Sequence, residues 1–330
     1  MSGIKVCHWT MFNGSGMNNV AETMCAAEKS LGIDSHIANP FAAKQEDLID
    51  KFKNFDIHVS HTYFPEWFKR ALTKKDWKLV WLGHGTPEYI FYDSYYQDTA
   101  RHGINDGMML QQYYLSHSDA IVTHWPRHAA IYKTMVDKHT PVHTVPMGVD
   151  LTFWKPQPSL GKFSGSPSLL CAENTHIIKL PYDLLVAWPW VYPRANGNAV
   201  LHVTRFSMDL HRWLFPLINR NGASYACHIS PTMWDAASLR NTFNSVDYQI
   251  GLVWKGDFNR TTLEASACGC KTISYRGNPY SDFWLTEGDQ RVIADELVKI
   301  LNGKTKPRKK SPVPSCVETA RQMKTIYESC

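Results

Sequence analysis

The sequence predicts an α/β chain of two Rossmann-like, doubly wound domains, and three observations carry that reading. Short β-rich runs alternate with longer helical patterns in both halves, the rhythm of a parallel sheet covered by helices on both faces. A stretch rich in Pro, Gly and Ser breaks the rhythm near the middle. A length of 330 residues suits two domains of roughly 150 each better than one large one.

In the first half the strand candidates are "IKVCHW" (4–9), "DIHVSH" (56–61), "WKLVWLGH" (77–84), "AIVTH" (120–124) and "VHTVP" (142–146). Helical patterns fall at 18–31, 43–53, 100–116 and 127–137. The segment 151–167, with "PQPSLGKFSGSP", reads as a linker. The rhythm restarts with "SLLCAE" (168–173), "NAVLHVT" (198–204), "YACHIS" (225–230), "VDYQIGLVW" (246–254) and "KTISY" (271–275). The expected organisation is a domain over 1–150, a linker over 151–167, a second domain over 168–310 and a closing helix within 311–330. Two such domains are expected to face each other across a cleft, with ligands beyond the carboxyl ends of the strands.

Apolar residues make up 44 % and charged residues 20 %, which excludes a disordered chain. The longest apolar stretches, such as "LLVAWPWV", are too short and Pro-broken to span a bilayer. The opening "MSGIKVCHWT" lacks a basic segment followed by an apolar one, so no secretory signal is expected. Eight cysteines without CxxC pairs or metal-ligand spacing predict reduced, mostly buried thiols and a cytoplasmic location. Residues 1–150 carry 14 Lys/Arg against 16 Asp/Glu, a net of −2, whereas residues 151–330 carry 21 against 14, a net of +7. A basic second half suits an anionic ligand or partner. The basic, Pro-broken stretch "GKTKPRKKSPVPS" (303–315) reads either as a solvated connection or as a footprint for an anionic acceptor.

The densest chemistry lies in "DFNRTTLEASACGCKTIS" (257–274). A helix is expected from about Arg260 to Cys268, closed by Gly269 in the left-handed position after the helix. Thr261 and Glu264 have the T-x-x-E spacing of a capping box. The same helix start follows a parallel strand, where free N–H groups and the dipole favour a phosphate. Arg260, Thr261 and Thr262 would surround that anion, and Glu264, one turn in, is placed to accept bonds from a ribose diol. Capping and ligand binding both remain open at Glu264.

The first strand is followed by Gly14-Ser15-Gly16 and a helix, which reads as an anion-binding turn or as an ordinary tight turn. His84 closes a strand between two glycines, and Lys179 lies between the first strand and helix of the second half. Each has a structural and a functional reading. No D-x-D, HExxH, clustered His/Cys set, nucleophile elbow or P-loop is present, which favours metal-independent chemistry with leaving-group charge met by protein donors.

Together these stretches resemble the retaining GT-B glycosyltransferases of the group-1 type, a resemblance spanning nearly the whole chain. "NGSGMNNVAETMCAAEKSLGID" is similar to the family's Gly-Gly loop and first helix, and "GHGTP" to its histidine loop. "HTVPMGVDLTFWKP" is similar to its interdomain segment, and "RTTLEASACGCKTISY" to its most specific motif. The resemblance implies that Gly16 offers a backbone N–H to the donor phosphate and that His84 sits over the transferred sugar. It implies that Lys179 and the helix start at Arg260, Thr261 and Thr262 bind the diphosphate, that Glu264 holds the ribose, and that Ser230 marks the base-binding loop. His84, Lys179 and Glu264 are the catalytic candidates. The closing helix is expected to return to the first domain.

Two positions depart from the pattern. Glu173 stands where the family has an arginine six residues before its lysine, which leaves diphosphate neutralisation to Arg260 or Arg205. Gly256 stands where a second, sugar-reading glutamate is usual.

The function the resemblance implies is metal-independent transfer of a sugar from a nucleoside-diphosphate hexose (UDP or GDP) to a hydroxyl of a saccharide or surface glycan, with retention. No cofactor beyond the donor substrate is expected. Two rival readings are a DNA glycosyltransferase acting on hydroxymethylated bases and a catalytically dead relative that binds nucleotide sugar or glycan.

Overall fold

In a computed structural model, residues 3–10, 16–61, 64–72, 76–84, 115–137, 139–159, 161, 163–172, 182–204, 216, 226–230, 234–253 and 259–330 are described. The chain divides into two units, Met1–Asp150 with Pro314–Cys330, and Leu151–Val313.

Unit 1 runs β1 (Lys5–Trp9), α1 (Gly16–Ser30), β2 (Asp34–Ala38), α2 (Gln45–Phe52), β3 (Ile57–Ser60), α3 (Glu66–Ala71), β4 (Lys78–Gly83), β5 (Ala120–Thr123), α4 (Pro126–Met135) and β6 (Val142–Thr144). Among the described residues its six strands lie in the order β2-β1-β3-β4-β5-β6, every pair parallel. Unit 2 runs β7 (Ser168–Cys171), α5 (Tyr182–Val191), β8 (Val200–Val203), β9 (Cys227–Ile229), α6 (Ala236–Phe243), β10 (Tyr248–Gly251), α7 (Arg260–Ala267), β11 (Lys271–Tyr275), β12 (Phe283–Leu285) and α8 (Gln290–Leu301). Its order is β12-β11-β10-β7-β8-β9, again all parallel. A last helix, α9 (Cys316–Ser329), belongs to unit 1 and packs on α1.

Alternation along the strands sorts the side chains onto two faces. In unit 1, Cys7, Trp9, Leu79, Trp81 and Ile121 point to one face and meet Phe52, Phe68 and Tyr132 in an aromatic-rich core. Trp9 and Phe68 pack with ring centroids 4.5 Å apart and planes tilted by 59°. In unit 2, Leu169, Cys171, Leu201, Val203, Ile273 and Tyr275 meet Trp188 of α5 and Leu297 of α8. Each fully buried side chain of this size contributes about 1.5–3 kcal/mol by leaving water.

All ten expected strands are present, with no end more than three residues away. The two that the pattern does not reveal, β2 and β12, each lie at one edge of their sheet; β6 and β9, at the opposite edges, are revealed. β2, "DSHIA", is partly polar and partly exposed, and β12, "FWL", is apolar but only three residues long, so neither presents an apolar run of readable length. The expected helix at 100–116 falls outside the described residues except at its last two. Within 151–167, Trp154 is buried and the Gln157 N–H donates to Asn244 Oδ1 at 2.6 Å. All eight cysteines are free thiols and six are buried. Among the described residues no helix is long and apolar enough to cross a membrane.

Candidate functional site

Unit 2's sheet reverses its winding between β7 and β10: β8 and β9 extend from one side of β7, and β11 and β12 from the far side of β10. Ligands of such sheets bind beyond the carboxyl ends of the strands at this switch point. The helix that follows β10 there is α7.

The start of α7 is set by Asn259, not by Thr261. Asn259 is the N-cap, and its side chain accepts a bond from the Thr261 N–H at 2.9 Å. The Thr261 hydroxyl donates to the same oxygen. A capping box between Thr261 and Glu264 is therefore not formed, because the helix opens two residues earlier than that spacing requires. Gly251, at the end of β10, makes room for the cap: a Cβ there would overlap the Asn259 amide. The far end matches expectation. Gly269 has φ 82°, its N–H bonds to Ser266 O at 3.1 Å, and the Cys270 N–H bonds to Ala265 O at 3.0 Å, the paired bonds of a Schellman ending.

Relieved of capping, Glu264 sits buried one turn inside α7 and accepts a 2.7 Å bond from Arg260 Nε. Arg260 is itself largely covered, with a fifth of its side chain exposed. Thr262 is fully buried, its hydroxyl 3.4 Å from Gln249 Oε1, while Thr261 receives the Gln249 amide at 3.4 Å. Arg260, Thr261, Thr262 and Glu264 are thus gathered on one helical turn at the switch point. Ser230 follows β9 at another strand end, and its N–H is committed to Val203 O at 2.8 Å, so a base contact there would use other groups. Lys179, Glu173, Arg205 and Gly256 lie outside the described residues.

In unit 1, Gly16 is the first residue of α1, after the carboxyl end of β1. His84 follows Gly83 at the end of β4 and is half-buried. Gly83 is backed closely by Tyr132, whose ring would be 3.2 Å from an added Cβ.

His84 does not stand alone. Strand register pairs His8 with Val59, Val59 with Val80, and Val80 with Ala120. Steps of two from these positions put His8, His61, His84 and His124 on one face, that of α1. His8 Nδ1 lies 2.9 Å from His61 Nε2, and His61 Nδ1 lies 2.9 Å from His84 Nε2. The His84 and His61 rings stack with centroids 5.0 Å apart, and His124 is 5.6 Å beyond His84. At the inner end His8 Nε2 is 2.8 Å from Glu28 Oε2 of α1. Ser35 Oγ donates to that carboxylate at 2.6 Å, and Tyr327 of α9 donates to Oε1 at 2.8 Å.

Burial raises the Glu28 carboxyl, but His8 and the bonds from His8, Ser35 and Tyr327 outweigh it and hold the pKa below the usual carboxylate value. Burial pushes His61 well below the ordinary histidine value, and the neighbouring histidines add to this.

No protein-family model and no curated protein matches the chain. Solved structures do. Sucrose-phosphate synthase from Thermosynechococcus elongatus aligns over 99 % of this chain and 98 % of its own, with TM-score 0.70 at 13 % identity. Anabaena HepE, solved in complex with UDP and glucose, aligns over 99 % and 100 %, with TM-score 0.68 at 12 % identity. A glycosyltransferase from Rickettsia africae aligns over 100 % and 99 %, with TM-score 0.64 at 14 % identity. The chain has the GT-B fold.

On this GT-B frame, sequence reasoning missed Glu28, His8, His61 and His124. A signal was present: "DIHVSH", "WKLVWLGH" and "AIVTH" each end on a histidine, so three adjacent parallel strands deliver one to the same sheet edge. Glu28 carried no local signal, because its role depends on the packing of α1. The basic stretch after α8 is partly spoken for: Arg308 stacks on Trp284 at 3.2 Å, and Lys310 pairs with Asp282 at 3.0 Å. Lys304, Lys306 and Lys309 are exposed.

Proposed function

We propose that this protein is a glycosyltransferase that moves a hexose from a nucleoside-diphosphate sugar to a hydroxyl of a saccharide or surface glycan. The observation that carries the reading is the first turn of α7. A helix N-terminus at the switch point of a GT-B second unit has beside it a buried glutamate paired to Arg260. The diphosphate takes the helix start, with Arg260, Thr261, Thr262 and Lys179 meeting its charge. Glu264 takes the ribose diol. A carboxylate accepts up to about four hydrogen bonds, so the bond from Arg260 is compatible with two more from the sugar. Gly16 and His84 in unit 1 are assigned to the donor phosphate and the transferred sugar.

UDP is the favoured nucleotide, because Anabaena HepE, which shares the fold, was solved with UDP and with UDP-glucose. Retention of configuration and independence of metal are part of the proposal. Departure of the diphosphate is stabilised by fixed protein donors, and no side chain identified here is an obvious nucleophile. A cytoplasmic location accords with six buried, reduced cysteines.

The test is nucleotide release from UDP-glucose, UDP-galactose, UDP-GlcNAc and GDP-mannose with EDTA present, first alone and then with an acceptor panel that includes hydroxymethylated DNA. Product on a saccharide with UDP release supports the proposal. Tight donor binding without turnover on any acceptor assigns the chain to the binding-only class instead, and turnover confined to DNA replaces the acceptor.

A further inference from the structure

The carboxyl rim of unit 2's sheet carries unusually small side chains on one face. Tyr248, Ile250, Ile273 and Tyr275 point into the core with Trp188 and Leu297. Alternation then turns Gln249, Gly251 and Ser274 to the opposite face, that of α7, where Gln249 meets Thr262. Register carries this face across the sheet. Gly251 pairs with Ser274, Gln249 with Leu170, Cys171 with Val203, and Val203 with Ile229. The ladder continues past the strand ends, because the Thr204 N–H donates to Cys171 O at 3.0 Å and the Ser230 N–H to Val203 O at 2.8 Å. The last row on the α7 face is therefore Ser274, Gly251, Ala172, Thr204 and Ser230, with nothing larger than threonine. Two residues back, the same strands present Thr272, Gln249, Leu170, His202 and His228. The sheet steps down at the edge where ligands of such folds bind.

Within this row Thr204 is distinctive. The space over Gly251 is taken by the Asn259 amide, and Ser274 Oγ donates to Tyr275 O at 3.0 Å. Thr204 is 1 % exposed, and its hydroxyl has no protein partner. Among the described residues of unit 2 two other buried hydroxyls share that condition, Ser266 and Ser281, and neither lies in the row. A hydroxyl can both donate and accept, and a buried one is seldom left to do neither.

We infer that Thr204 is a specificity-determining residue whose hydroxyl bonds the edge of the donor's nucleobase, a pyrimidine seated against the small-residue rim.

The inference rests on the nucleotide-sugar reading and deepens it. That reading gives the start of α7, after β10, to the diphosphate and Glu264 to the ribose. Thr204 stands two strands from Gly251, about 10 Å at the usual strand spacing, so it meets a different part of the nucleotide. Its chemistry differs as well. Phosphate charge is answered by Arg260 and the helix start, whereas a neutral hydroxyl matches the N–H and C=O edge of uracil. Ser230, on the next strand, marks the expected base-binding loop, and its N–H is spent on the sheet. The neighbouring Thr204 supplies a side-chain group at that end of the row. Small side chains let a planar ring approach the strand ends closely. The hydroxyl is already out of water, so a ligand that fails to pair it leaves a buried polar group unsatisfied, which is how hydrogen-bonding sites reject near-isosteres.

The test separates the hydroxyl of Thr204 from its methyl group. Thr204→Val keeps the shape and removes the hydroxyl, and Thr204→Ser keeps the hydroxyl and removes the methyl. Calorimetry measures binding of UDP, GDP and inorganic pyrophosphate, and melting is followed without ligand. Thr204→Val is expected to melt at or above the wild-type temperature, because no protein bond is lost. It should bind UDP about 10-fold more weakly, with pyrophosphate unaffected. Thr204→Ser is expected to show the reverse, a lower melting temperature with UDP affinity within about 2-fold of the wild type. With 5-fluoro-UDP as probe, the 19F resonance of the bound base should move between wild type and Thr204→Val.

Equal UDP affinity in wild type and Thr204→Val, or an unmoved 19F resonance, overturns the inference and leaves the hydroxyl to a buried water. An equal loss for pyrophosphate moves Thr204 to the phosphates and overturns the base contact. A wild type that binds GDP and not UDP overturns the inference and leaves the donor reading, and one that binds neither overturns both. UDP affinity that depends on Thr204 in a chain that transfers no sugar leaves the inference standing and overturns the glycosyl-transfer reading.

Discussion

Arg260 Nε donates to Glu264 Oε1 across one turn of α7, at 2.7 Å. The carboxylate is buried, so the pair fixes its position before any ligand arrives. Glu264→Gln retains an oxygen for Arg260 and removes the charge. It is expected to lower kcat/KM for UDP-glucose by about 10- to 100-fold, the cost of losing a charged acceptor for the ribose hydroxyls. Thermal stability should stay close to that of the wild type. Lys179→Ala is expected to cripple turnover as well. Undiminished activity in both variants would remove the assignment of this turn to the donor.

The cap that sets this turn is separable from the chemistry. Asn259→Ala removes the acceptor of the Thr261 N–H, a loss of about 1 kcal/mol. Urea denaturation measures it directly. Activity should fall by more than stability alone explains, because Arg260, Thr261 and Thr262 lose their common anchor. Gly251→Ala, which forces a Cβ onto the Asn259 amide, should reproduce the phenotype from the strand side.

These two variants mark what the sequence made legible. The helix, its Gly269 ending and its place after a strand were readable, because periodicity and a Gly after the last turn are local signals. Of the two readings open at Glu264 the capping box does not form: T-x-x-E fits a box starting at Thr261, while the chain opens the helix at Arg260 under Asn259. The histidine row was half legible. Three strands ending in histidine can be seen, but that Glu28 closes the row depends on β1, β2, α1 and α9 meeting, a contact between residues up to 299 positions apart.

Gly16 separates fold from function at the other phosphate candidate. Among the described residues nothing lies within 4 Å of a Cβ added there, and alanine is the better helix former by about 1 kcal/mol. Gly16→Ala should leave stability unchanged or slightly raised. If the α1 start approaches the donor phosphate through its backbone, KM for UDP-glucose should rise several-fold. An unchanged KM would strike Gly16 from the site.

Acid sensitivity should trace to buried histidines. His58 is packed among Trp9, Phe64, Phe68 and Trp77, and burial lowers its pKa from 6.5 to about 3. Between those values the unfolded chain binds a proton that the folded chain does not, so stability falls as pH falls, by about 1.4 kcal/mol per pH unit. His61, shifted the same way, adds to the loss. Glu28 follows at lower pH: its folded carboxyl lies below the ordinary 4.5, so stability present above that value is lost as pH drops through the folded one. Urea midpoints at pH 6.5 and 5 should show His58→Phe losing about 2 kcal/mol less than the wild type. Parallel losses would place the acid sensitivity elsewhere.

The last prediction concerns why a glycine stands at 148. Val149 bridges Ser315 in a parallel pairing: the Val149 N–H bonds to Pro314 O at 3.1 Å, and the Cys316 N–H to Val149 O at 3.0 Å. Thr319 on the first turn of α9 reaches back to Pro146 O at 2.8 Å. This pairing seats α9 against α1, where Tyr327 meets Glu28. A Cβ at residue 148 would overlap the backbone carbonyl of Ser315, and backbone cannot rotate aside as a side chain can. Gly148→Ala must therefore push the start of α9 away or strain the "PMGVD" segment, at a cost of about 1–3 kcal/mol. The melting temperature should drop by about 3 °C or more, and the Cys316 amide should exchange with solvent at least about 10-fold faster. Because the same displacement pulls Tyr327 from Glu28, the NMR spectrum of the histidine rings should change as well. A melting drop without that change would mean that α9 holds Glu28 through contacts other than this seat.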